Sequence, residues 1–118
     1  MTRRLVVLGI AAFVLCWGVA SAQDAAAIEK GKKVYTEVMP KCKTCHSIAG
    51  EGNPKGALDD VGSKLKADEV KSWLRDPKAM TEKAKATRKP PMPTYSKEKL
   101  SDADADALAA YLLSLKKK

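Results

Sequence analysis

Apolar residues along this chain fall into one unbroken run and then into helical stripes separated by loops rich in breakers. Leu5 to Val19 is almost continuously apolar, follows Arg3 and Arg4, and leads into the small residues Ala20, Ser21 and Ala22. A basic n-region, an apolar h-region and an AxA site describe an export signal, so cleavage after Ala22 is expected, with 1–22 as signal and 23–118 as one domain. As a retained anchor, the run is shorter than the roughly 20 residues of a spanning helix. Cys16 does not suit a lipoprotein site, because Leu15 stands where a small residue belongs. Further on, Ile28, Gly31, Val34, Tyr35 and Val38 recur at helical spacing and predict a first helix that ends before Pro40. Between Ser47 and Ser63, the breakers Gly50, Gly52, Pro54, Gly56 and Gly62 predict a loop that must fold over something. A second helical pattern covers Leu65 to Asp76, with Val70, Trp73 and Leu74 on one face and Pro77 as its stop. Pro90, Pro91 and Pro93 then favour extended backbone in KATRKPPMPTYS.

The last helix carries the fullest set of signals. Ser101 is its N-cap, Asp102 and Asp104 complement the positive end of the helix dipole, and Asp104 occupies the capping-box position with a shorter arm than Glu. Leu108, Tyr111, Leu112 and Leu115 form its apolar stripe, and Lys116 to Lys118 suit its negative end. The alternating Asp102, Asp104 and Asp106 do not make a calcium loop. Position six would be Ala107 instead of Gly, and position twelve Leu113 instead of Glu. No strand pattern and no repeat stands out, so the expected class is all-α.

Composition makes the core the next problem. Removing 22 of the 118 residues leaves 96, near the size where a protein core becomes thin. That remainder has no Phe, one Trp (Trp73) and three Tyr (Tyr35, Tyr95, Tyr111), so a large apolar cofactor is expected to fill the middle. The net charge of the whole chain is +8, and losing Arg3 and Arg4 lowers it to +6. An excess of this sign favours acidic partners and speeds their encounter. Nucleic acid is excluded as a partner, because the aromatic residues are not interleaved with the basic ones and the signal takes the chain out of the cytoplasm.

Candidate chemistry is concentrated in KCKTCHS. Cys42 and Cys45 are the only cysteines left after cleavage, and His46 is the only histidine of the chain. Structural zinc needs four ligands, and three so closely spaced in sequence do not fit one tetrahedral ion. A redox dithiol belongs in a βαβ unit, which the chain lacks. CxxCH uses every residue of the motif: both thiols add to the vinyl groups of haem, and the adjacent histidine becomes the proximal iron ligand. Without a second histidine, the other axial ligand is expected to be a methionine sulfur. Met39 is tied to the attachment segment. Of the remaining two, Met80 suits core filling, whereas Met92 sits among prolines that limit the chain's freedom and is favoured.

From about Ala25 to Leu115 the chain closely resembles the class I, single-haem c-type cytochromes of bacteria. The likeness rests on Gly31 and Tyr35 in the first helix, CKTCH, Gly56 and Leu58 in the loop, Trp73, the late Met92-Pro93 pair, and Leu108 and Tyr111 in the last helix. The resemblance implies a small all-α cytochrome c fold around one covalent haem c. It also implies that the first and last helices cross, with Gly31 against Leu108 and Tyr111, and that Trp73 lies near a haem propionate. In the family a GPxL proline carbonyl accepts the histidine's second N–H; here GAL puts Ala57 in the proline's place, which leaves the acceptor open.

The function that follows is one-electron transfer without a bound substrate, by a monomeric carrier and not an enzyme, in the periplasm. Redox partners with acidic docking surfaces are expected, with peripheral contact to membrane complexes. Lys41, Lys43, Lys83, Lys85, Arg88 and Lys89 are docking candidates, solubility being their other use. The alternative is an open-site haem protein that binds a small ligand or acts as a weak peroxidase. It lacks a second histidine for distal acid–base work.

Overall fold

A computed structural model of the chain describes residues 19–117. Most of the expected export signal lies outside the described residues. Six helices account for nearly all the regular structure, as the all-α reading expects: α1 (Val19–Lys33), α2 (Cys42–Cys45), α3 (Val61–Lys64), α4 (Ala67–Arg75), α5 (Pro77–Ala84) and α6 (Asp102–Ser114).

The first and last helices form the frame. α1 packs along α6, and the buried Val34 and Tyr35 meet Leu108, Tyr111 and Leu112 in one core. Gly31 sets how closely the two backbones approach: a methyl there would overlap the Ala107 carbonyl oxygen and stand 2.6 Å from Tyr111 Cβ. The helix crossing is as expected, but the near contact is Ala107, not Leu108. Leu108 lies one residue further round α6, and its buried side chain lines the cavity described below. Gly31→Ala is therefore expected to destabilise the protein by about 3 kcal/mol or more, since neither backbone can yield cheaply. A chemical denaturation midpoint compared with wild type checks this.

After Lys33 the chain widens into a π-helical turn, Val34–Val38, closed by Met39 N–H donating to the Val34 carbonyl at 2.8 Å. This single wide turn buries Val34 and Tyr35 together and then swings the backbone toward Pro40 and the cysteines.

The glycine-rich segment has more order than the sequence suggested. A hairpin of two two-residue strands, β1 (Ser47–Ile48) and β2 (Glu51–Gly52), turns at Ala49 and Gly50, both at positive φ. Ala49 tolerates φ 52° while its N–H donates to Asp59 Oδ1 at 2.8 Å. Strands this short carry no alternation for a sequence reading to detect.

Pro77 ends α4 and also opens α5 as its first residue, where its missing N–H costs nothing. Asp76 caps that start by accepting from Ala79 N–H at 3.1 Å. Ser101 caps α6 as expected, accepting from Asp104 N–H at 3.2 Å. The Asp104 carboxylate does not complete a capping box; it pairs with Lys30 of α1 at 3.3 Å. Asp102 likewise turns to Arg75 at 2.9 Å and Lys97 at 3.1 Å, and Asp106 to Lys71 at 3.2 Å.

Candidate functional site

The CKTCH segment is a single helical turn held by its surroundings. One turn places Cys42 and Cys45 on the same face. Both are half-buried, form no disulfide, and line one cavity. His46 leaves the turn with extended backbone (φ −125°, ψ 157°) while its N–H donates to the Cys42 carbonyl at 2.9 Å. The hairpin returns the chain to this turn. Asn53 N–H donates to the carbonyls of His46 (3.0 Å) and Lys43 (3.1 Å), and its side-chain amide donates to the Thr44 carbonyl at 3.2 Å. Gly52 permits that approach: its φ is 109°, and a methyl there would overlap the His46 carbonyl. The expected loop over the site is thus a brace for the cysteine turn. Asn53-Pro54, a turn-initiating pair, was its one signal in the sequence.

His46 is oriented by Gly56. Its Nδ1 lies 3.0 Å from the Gly56 carbonyl oxygen. A carbonyl only accepts, so Nδ1 carries the proton and Nε2 keeps its lone pair for a metal. The acceptor that the family pattern left open is thus Gly56, one residue before Ala57. The tight turn Pro54–Gly56, which Asn53 caps by accepting from Lys55 N–H at 3.0 Å, aims the Gly56 carbonyl at the ring. Burial, partly offset by the Gly56 bond, holds the His46 pKa below the ordinary histidine value and favours the neutral, ligating ring.

These residues open onto a cavity of about 1070 Å³. Pocket volumes for small ligands run from roughly 300 to 1,000 Å³, so this is very large for so small a domain. Its wall is mainly apolar: Leu58, Val61 and Leu65 from the loop side, Val70 and Leu74 from α4, Leu108 and Leu112 from α6. Met92 and Met39 are on the wall, and both are half-buried. Met80, half-buried on α5, is not among the lining residues. Trp73 lines the cavity from α4, half-buried.

A family model described as Cytochrome c matches residues 28–116. The chain belongs to the cytochrome c family. Searches of curated proteins and of solved structures returned no match. As a cytochrome c, the chain carries a covalently bound haem c with its iron, has the small all-α fold of the family, and acts as an electron carrier.

The residues present fit that group. Two reduced thiols share one wall with a histidine whose second nitrogen is free to ligate, around an apolar space too large to be a packing defect. Tyr35 adds an independent sign. Its hydroxyl is buried on the cavity side of the core with no hydrogen-bond partner among the described residues, which leaves a donor for a bound group. Burial, together with nearby Cys42, pushes its pKa up to about 12, so it remains a neutral phenol at ordinary pH.

The exposed basic residues Lys41, Arg88 and Lys99 of the cytochrome line the cavity, and Lys55 and Lys89 border a smaller adjoining cleft with Arg88 and Asn53. The Arg88 guanidinium donates to the Cys45 carbonyl, which ties the proline-rich segment to the cysteine turn. Lys43 is engaged with Glu51 at 3.3 Å. Sequence reasoning placed Arg88 among the docking lysines and missed this bond, because a backbone acceptor 43 residues away leaves no mark in the local pattern.

Proposed function

We propose that this cytochrome c is a class I, single-haem carrier, exported to the periplasm with residues 1–22 removed and 23–118 as its functional domain. Cys42 and Cys45 anchor the haem, and His46 and Met92 are its axial ligands. The observation that carries the proposal is the meeting of Cys42, Cys45, His46 and Met92 on the wall of one large apolar cavity.

Cys42 and Cys45 would hold the haem through two thioethers, the products of thiol addition to its vinyl groups. When bound, the haem supplies a ferric–ferrous couple that takes up and gives back one electron. His46 presents Nε2 because Gly56 holds the proton on Nδ1. Met92 offers a thioether, a soft donor that favours the reduced state. The apolar wall from α4 and α6 keeps water from both ligands. With His46 and Met92 both holding the iron, oxygen and peroxide would find no site there, which would set the carrier apart from an open-site ligand binder or peroxidase.

Lys41, Lys55, Arg88 and Lys89 along the cavity and its adjoining cleft suit docking of acidic redox proteins, whether free or part of membrane complexes. Electron exchange with such a partner is expected to slow as salt rises from about 0.01 M to 0.15 M, where the Debye length falls from roughly 30 to 8 Å. Stopped-flow rates independent of salt would contradict this docking surface.

Covalent attachment is tested on protein made with the haem-attachment machinery. Haem is expected to stay with the polypeptide through denaturing electrophoresis and through acid–acetone extraction. Haem released by the solvent would contradict the role of Cys42 and Cys45.

A further inference from the structure

The segment that bears Met92 is tied to the cysteine turn by the Arg88 side chain, but its backbone has little hold of its own. Among the described residues, no backbone N–H or carbonyl of residues 87–94 makes a hydrogen bond to another group; the nearest fixed backbone points are Ala86, bonded to Thr81, and Tyr95. Pro90, Pro91 and Pro93 have no N–H to offer. Met92 is therefore placed between the Arg88 side-chain bond to the Cys45 carbonyl, four residues earlier, and the grip on Tyr95, its nearer backbone anchor, three residues later.

That grip comes from the end of α4. Tyr95 N–H donates to the Leu74 carbonyl at 2.9 Å, and the next residue, Arg75, donates from Nη1 to the Tyr95 carbonyl at 3.0 Å. The same nitrogen donates to the Leu100 carbonyl at 2.7 Å, and Nη2 meets Asp102 Oδ1 at 2.9 Å. The Arg75 side chain is 24% exposed, so these bonds are partly shielded from water. One planar guanidinium thus joins α4, the methionine segment and the start of α6, which a point-charge ammonium cannot do in the same geometry. Leu74, whose carbonyl completes the clamp, also lines the cavity with its side chain.

We propose that Arg75 is a positioning residue for the Met92 ligand: by clamping the Tyr95 carbonyl it holds the methionine sulfur at the iron and sets how readily an outside ligand displaces it. The proposal rests on the reading that Met92 ligates the iron.

The test uses ferric holoprotein of wild type, Arg75→Gln, Arg75→Lys and Asp102→Asn, titrated with imidazole and followed through the methionine-to-iron band in the red. Arg75→Gln is expected to bind imidazole roughly tenfold more tightly and to lose the band at lower pH, as expected on losing charge-assisted bonds to two carbonyls. Arg75→Lys, which keeps the charge without the fork, should fall between it and wild type, and it carries the test if Arg75→Gln does not fold. Asp102→Asn leaves the carbonyl bonds in place and should stay within about twofold of wild type, because the Asp102 carboxylate, shared between Arg75 and Lys97, is itself largely exposed. Wild-type imidazole affinity in both Arg75 variants would overturn the proposal. So would an Asp102→Asn effect as large as that of Arg75→Gln, which would place the cause in the ion pair and not at Tyr95. A wild-type spectrum that lacks the methionine band would overturn the Met92 reading and the clamp together, whereas a normal wild-type band with unaffected variants overturns the clamp alone.

Discussion

Met92→Ala is expected to convert the closed carrier into a ligand-binding haem protein. The methionine band should vanish, added imidazole or cyanide should bind the ferric iron, and the reduction potential should fall by a sizeable part of the roughly 0.8 V that axial ligands span. The physical cause is the loss of a soft sulfur that stabilises ferrous iron. Met80→Ala makes the comparison, because Met80 lies on α5 and off the cavity wall. It should keep its band and potential and lose only stability, less than the about 2–5 kcal/mol of a fully buried methionine, since Met80 is half-exposed. A band lost in the Met80 variant and kept in the Met92 variant would move the ligand to α5. If neither variant changes the spectrum, the open-site reading replaces the carrier.

The second large effect is on folding itself. Replacing both Cys42 and Cys45 by Ser, and thereby preventing attachment, should leave a chain without native tertiary structure. A void of about 1070 Å³, at about 24 cal/mol per Å³, would cost on the order of 25 kcal/mol. Even half of that, with the mouth open to water, matches the entire 5–15 kcal/mol typical of a folded domain. The haem is therefore part of the core: its thioethers keep it on the unfolded chain too, but only the folded chain packs apolar side chains against it. Near-ultraviolet circular dichroism of the double variant should be flat. A native-like near-ultraviolet spectrum without haem would show that the cavity collapses into an adequate core of its own.

Which of these features the sequence disclosed follows from how local their causes are. The helical stripes of α1, α4 and α6 were legible because burial of one face writes a period into the sequence, and the Ser101 cap and the CKTCH motif are short-range chemistry. Three kinds of feature were hidden. The hairpin depends on Ala49 and Gly50 at positive φ and has strands too short for alternation. The histidine's partner is a backbone carbonyl, and which carbonyl faces the ring is fixed by the Pro54–Gly56 turn, so with Ala57 in the proline's place the sequence left the acceptor open. Arg88 read as a docking charge and Arg75 carried no signal, yet both donate to backbone carbonyls from distant segments, and any residue type can supply such an acceptor. Asp104 shows the same limit: its spacing suggested a local cap, and its carboxylate reaches across to Lys30 instead.

X-ray absorption at the iron edge of the ferric wild-type holoprotein tests the central claim most directly, because it reports the atoms bound to the metal without relying on a visible band. The expected result is a shell of nitrogens, from the porphyrin and from His46, together with a single sulfur that disappears in Met92→Ala. A wild-type iron shell without sulfur, or with a labile oxygen in its place, would contradict the closed His46/Met92 carrier.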